Sequence, residues 1–92
     1  MKILAVCGMG LGSGLLLRMQ AEKALKTLGV EADLEVADIG TARAAAQTAD
    51  LIITSNELAQ QLAGVKPKIV TISNFIDLQE MVTKLGAALG KG

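Results

Sequence analysis

The chain carries a single cysteine, Cys7, followed by Gly8-Met9-Gly10-Leu11-Gly12-Ser13-Gly14. Glycine takes every second place. It reaches positive φ without a Cβ clash and lets main-chain amides approach a ligand closely. Successive amides of this kind form an anion-binding concavity, and a helix starting beside them adds partial positive charge. That field favours the nucleophilic thiolate and steadies phosphoryl oxygens during transfer. The chemistry offered is phosphoryl transfer through sulfur. In that chemistry Cys7 would be the nucleophile, and Gly8, Met9, Gly10, Leu11, Gly12, Ser13 and Gly14 would form the phosphate cradle. Ser13 can cap the helix and offer its hydroxyl to a phosphoryl oxygen. Arg18, just over one turn in, either leans back toward the site or stays a solvated surface arginine. The plainer alternative is that Cys7 is a small core residue and the glycines serve packing.

Other phosphate loops fit less well. A Walker loop needs Gly-x-x-x-x-Gly-Lys-Ser/Thr, and no lysine lies between Lys2 and Lys23. The dinucleotide pattern Gly-x-Gly-x-x-Gly, begun at Gly8 and Gly10, meets Ser13 at its third place. Loop amides work without a metal, and histidine, the commonest neutral metal ligand, is absent. Neither a cofactor nor a metal is expected.

To stand at the mouth of such a cradle, Cys7 must end a strand and precede a helix. The apolar run at residues 3–6 supplies the strand, and the runs at 51–53 and 69–72 resemble it. Continuous apolar runs suit strands covered on both faces. Residues 32–37 alternate instead, as an edge strand does. Between Ser13 and Leu28 a stripe of Leu17, Ala21, Ala24 and Leu28 marks a helix that Gly29 can stop. A short alanine-rich helix is expected at 41–48. Thr54 with Glu57 suggests a capping box for a helix running to about Gly64. Asp77 with Glu80 suggests another for a last helix ending near Gly90. Pro67 precedes the fourth strand, where a missing donor costs little.

Strand and helix thus alternate four times. The expected fold is α/β: a four-stranded parallel sheet in the order 2-1-3-4 with helices on both faces, a Rossmann- or flavodoxin-like three-layer sandwich. Its switch point lies between strands 1 and 3, where open α/β sheets bind ligands. The ends of strands 3 and 4 face the same crevice with Thr54, Ser55, Asn56, Ser73 and Asn74. Capping explains Thr54 and Asn74 better than phosphate contact, and Glu57 and Asp77 read as caps, not acids.

Composition narrows the function classes. Ninety-two residues suggest one domain, 1–92. Half the chain is hydrophobic (51%) and 20% is charged, which argues against disorder. Nine basic residues balance nine acidic ones, and Phe75 is the only aromatic, so a nucleic-acid partner is not expected. Four apolar residues before Cys7 are too few for an export core. No run approaches the roughly 18 apolar residues of a membrane span. The expected location is cytoplasmic, without membrane insertion, where a free thiol stays reduced.

Residues Cys7 to Ser13, taken with Arg18 and Met19, resemble the IIB component of the phosphoenolpyruvate-dependent sugar phosphotransferase system, in its ascorbate-type branch of the lactose/cellobiose/galactitol-like IIB family. The likeness is specific over residues 2–19 and weak after about residue 30. It implies that Cys7 takes phosphate from a phosphohistidine on a IIA protein and passes it to a sugar, here L-ascorbate, bound by a membrane IIC transporter. The loop also resembles that of low-molecular-weight tyrosine phosphatases, which use Cys-x5-Arg, but Ser13 holds the arginine's place. Without that fork a thiophosphate is expected to outlast hydrolysis. A cysteine phosphatase and a non-catalytic anion-binding regulatory module are the alternative readings. A carrier must also meet two partners. Met9, Leu11, Leu15 and Met19, apolar residues at the phosphate end of helix 1, form a candidate docking patch.

Overall fold

Consecutive apolar residues leave a strand no face for water, and two such runs form the centre of the sheet. These are β1 (Lys2–Cys7) and β3 (Leu51–Thr54), buried along almost their whole length. β2 (Asp33–Asp38) and β4 (Lys68–Thr71) are the edges. All pairings are parallel and the strand order is 2-1-3-4, as expected. The computed structural model describes residues 1–8 and 13–90, with Ser13 seen as backbone alone.

Four helices complete the layers: α1 (Ser13–Leu28), α2 (Ala42–Ala46), α3 (Asn56–Gln61) and α4 (Leu78–Leu89). The period-two geometry of β1 divides the core. Ile3 and Ala5 meet Leu17, Ala21 and Ala24 of α1 and Met81 and Leu85 of α4. Leu4 and Val6 meet Ala42 and Ala46 of α2 and Leu62 beyond α3. Cys7, following that alternation, belongs to the α1 face. Gly29 and Gly90, at φ +71 and +73, close α1 and α4 in the left-handed conformation that costs glycine least.

Several boundaries differ from the sequence reading. α2 has one and a half turns, with Thr41 before it, instead of filling 41–48. β4 starts one residue earlier than expected, at Lys68. Thr54 is not a cap: it is the last residue of β3, and the N-cap is Ser55, whose Oγ accepts from the Leu58 amide at 3.3 Å. α3 ends at Gln61, before Gly64. Asn74 does not cap a helix either. Its Oδ1 accepts from the Ile76 amide at 3.1 Å, an Asx turn ahead of α4. Asp77 is the N-cap of α4, accepting from the Glu80 amide at 3.2 Å. The other half of that box is different. Glu80 reaches past Asp77 to the amides of Ser73 and Asn74, at 2.7 and 2.9 Å.

Candidate functional site

The strands open where Cys7 sits. β1 stays paired with β2 through Cys7↔Asp38, but its pairing with β3 ends at Ala5↔Ile53. The β1–β3 boundary is the switch point of the 2-1-3-4 order, so a crevice forms at its carboxyl end. Beyond the last ladder pair, the Thr54 hydroxyl donates to the Val6 carbonyl at 2.8 Å. On the β2 side the Ile39 amide donates to the Cys7 carbonyl at 3.1 Å. The backbone of the nucleophile candidate is therefore tied on both sides.

The sulfur lies under the start of α1. A Cβ built on Gly14 would come within 2.7 Å of Cys7 Sγ and 2.9 Å of Val36 Cγ1, so only glycine lets the helix pass this closely. The thiol donates to the Ala37 carbonyl at 3.8 Å, a weak sulfur hydrogen bond. Cys7 is 8% exposed. Val36 breaks the simple alternation expected of β2. It is exposed and lies beside Gly14 and the sulfur, while Ala37 turns inward to the α2 face.

Met9, Gly10, Leu11 and Gly12 fall outside the described residues, as does the side chain of Ser13. Gly8 follows β1 directly and is half-buried, and Gly14 is in the first turn of α1. Leu15 and Met19 stand out on the surface of α1, 63% and 47% exposed. Arg18 does not lean toward Cys7. Its Nε donates to Glu22 Oε1 at 2.9 Å, one turn down the helix. It is a surface arginine paired at i,i+4.

Elsewhere around the crevice several polar groups are already engaged. The carboxylate nearest Cys7 in register, Asp38, turns onto the following turn and accepts from the Thr41 amide at 3.0 Å. At the carboxyl ends of β3 and β4 a cleft of about 360 Å³ is lined by Ser55, Asn56, Ser73 and Asn74, with Phe75 at its side. The Ser73 and Asn74 amides there already hold an anion, the carboxylate of Glu80. Lys84 pairs with that carboxylate at 2.8 Å and donates to the Thr71 carbonyl at 2.6 Å. The Lys84 hydrogen bond, then the two amides, hold the Glu80 pKa down at about 2. A larger recess, about 780 Å³, lies against Lys26, Gly29 and Ala32 at the amino end of β2, remote from Cys7. Sequence reasoning named the cysteine and the helix start. Nothing in the spacing signals Thr54's bond to Val6, the approach of Val36 to Gly14 or the anchoring role of Glu80.

The chain matches a described family. Residues 2–86 match the "PTS system, Lactose/Cellobiose specific IIB subunit". An ascorbate-specific PTS system EIIB component of Mycoplasma pneumoniae is 34% identical over 88 residues, covering 95% of this chain and 93% of that relative. The corresponding component of Shigella sonnei is 28% identical over 85 residues, 91% of this chain and 84% of that one. In fold, the chain is similar to the lactose-specific IIB component domain of the Streptococcus pneumoniae phosphotransferase system. The TM-score is 0.59 at 19% identity, covering 99% of this chain and 96% of the other.

Proposed function

This chain belongs to the lactose/cellobiose-specific IIB subunit family of the phosphotransferase system and so serves sugar phosphotransfer, and we propose that Cys7 is the atom-level carrier. The cysteine thiolate attacks the phosphorus of a phosphohistidine on the IIA protein. A sulfur–phosphorus bond forms as the nitrogen–phosphorus bond breaks, and the histidine nitrogen leaves with the electron pair. A hydroxyl of the sugar held by the membrane IIC component then attacks the same phosphorus. The sulfur leaves as thiolate and the hydroxyl proton is released. Gly8, Met9, Gly10, Leu11, Gly12, Ser13 and Gly14 supply the amides and hydroxyl that cradle the phosphoryl oxygens. Such transfer depends mainly on positioning and electrostatics.

The observation that carries this reading is the place of Cys7. It is the last residue of β1, at the opening between β1 and β3, directly beneath the first turn of α1. L-ascorbate is the proposed sugar, supported by the ascorbate-specific relatives. The proposed working location is the cytoplasmic side of the transporter. No helix of the described residues is long and apolar enough to cross a membrane. Leu15 and Met19, with Met9 and Leu11, are the proposed docking patch for the two partners. The phosphatase alternative is disfavoured because Ser13 stands where the Cys-x5-Arg loop needs its arginine fork.

Intact-mass measurement after incubation with phosphorylated IIA tests the proposal. The wild-type chain should gain one phosphoryl group, and Cys7→Ser should gain none. Steady hydrolysis of an aryl phosphate by the isolated protein would favour a phosphatase. A thiol that takes neither phosphate nor an alkylating reagent would leave only the fold.

A further inference from the structure

β3 reads Leu51-Ile52-Ile53-Thr54, and its last residue is as deeply buried as the isoleucines before it. Valine has nearly the same shape and would carry no hydroxyl to satisfy in such a place. Among the described residues Thr54 is the one polar side chain with no exposed surface. Its hydroxyl donates at 2.8 Å to the carbonyl of Val6. That carbonyl shares a planar peptide unit with the Cys7 nitrogen, so holding the oxygen sets the plane from which the Cys7 Cα presents its side chain. The bond falls where the β1–β3 ladder has stopped. A further ladder step would satisfy Val6 equally well but would draw β3 across the crevice. A side-chain hydroxyl holds the carbonyl while the strands part. Thr54 is itself fixed from the other side, because the Ile72 amide donates to its carbonyl at 2.8 Å.

We infer that Thr54 is a positioning residue for the Cys7 sulfur: through the Val6–Cys7 peptide its hydroxyl aims the nucleophile into the crevice that the parted strands leave open. The inference rests on Cys7 being the phosphoryl carrier. It touches neither the phosphoryl group nor the partner, so it should act on the rate of the chemical step and not on docking.

The test compares Thr54→Ala with Thr54→Ser. Both lose the methyl group and only alanine loses the hydroxyl; Thr54→Val adds a shape-matched variant without the hydroxyl. Three quantities are measured: thermal midpoint, rate and half-saturation of phosphoryl uptake from phosphorylated IIA, and the rate of Cys7 alkylation by iodoacetamide across pH. Small displacements of a reacting group cost roughly ten- to a hundred-fold in rate. The expected result is a maximal uptake rate lowered about ten-fold or more in the alanine and valine variants, with unchanged half-saturation and with serine close to wild type. Equal rates in alanine and serine, or rates that track only the thermal midpoint, overturn the inference. If the wild-type protein takes no phosphate, the carrier reading fails by itself. The alkylation profile then decides Thr54: a profile altered in alanine and restored in serine supports it, and superimposable profiles overturn it.

Discussion

Replacing Gly14 with alanine drives a methyl group into the sulfur. The new Cβ would lie 2.7 Å from Cys7 Sγ and 2.9 Å from Val36 Cγ1, so the parts must separate by about 0.7 Å to reach the 3.4 Å at which ordinary contact begins. β1 is paired on both sides and cannot withdraw as a body. The shift therefore falls on the cysteine side chain, on Val36 and on the first turn of α1. Overpacking of this kind costs about 1–3 kcal/mol. Alanine's better helix propensity returns less than about 1 kcal/mol. A net loss of about 1–2 kcal/mol lowers the thermal midpoint of a domain this size by roughly 5–15 °C. A sulfur moved by most of an ångström should also lose about ten-fold or more in phosphoryl uptake and alter its alkylation rate. Gly29→Ala is the matched control. At φ +71 it strains the far end of α1 at a cost of about 1–2 kcal/mol and should leave sulfur chemistry intact. A Gly14→Ala protein with the wild-type midpoint and wild-type alkylation would refute the placement of the thiol beneath the helix.

Two further outcomes follow from the same structure. The Glu80 pKa is lowered from 4.5 to about 2, first by Lys84 and then by the Ser73 and Asn74 amides. A lowered folded pKa stabilises fully above the unfolded value and is lost as pH falls from about 4.5 toward 2. Thermal midpoints should drop through that window in the wild type and less steeply in Glu80→Gln; parallel curves would show that the β4–α4 latch does not titrate this way. Leu15→Ser with Met19→Ser alters exposed positions, so stability should stay within about 0.5 kcal/mol per site, while half-saturation for IIA or for the transporter rises several-fold. Unchanged transfer kinetics would dismiss the docking patch.

The one-dimensional pattern contains the order of strands and helices, the central position of β1 and β3, and the end of a strand at Cys7. These are local or periodic properties: a continuous apolar run is buried on both faces whatever its neighbours, and the alternation of strand and helix admits few topologies. The pattern is weaker where two adjacent residues can perform the same task. Thr54 and Ser55 are both plausible caps from their types. Only the point at which β3 leaves β1 makes the first a ladder-ending donor to Val6 and the second the cap of α3. In the same way Asp77 and Glu80 satisfy a capping spacing, yet the β4–α4 loop folds back so that Glu80 finds the Ser73 and Asn74 amides instead.

The sequence alone determined that a lone cysteine would end the first strand before a glycine-rich turn, because strand burial and glycine's conformational range are written residue by residue. Tertiary structure decided what surrounds the sulfur. Val36, Ala37 and Thr54 come to Gly14, to Cys7 or to its peptide from β2 and β3, and the distance between segments so far apart in the chain is set by how the layers pack, which no local spacing encodes.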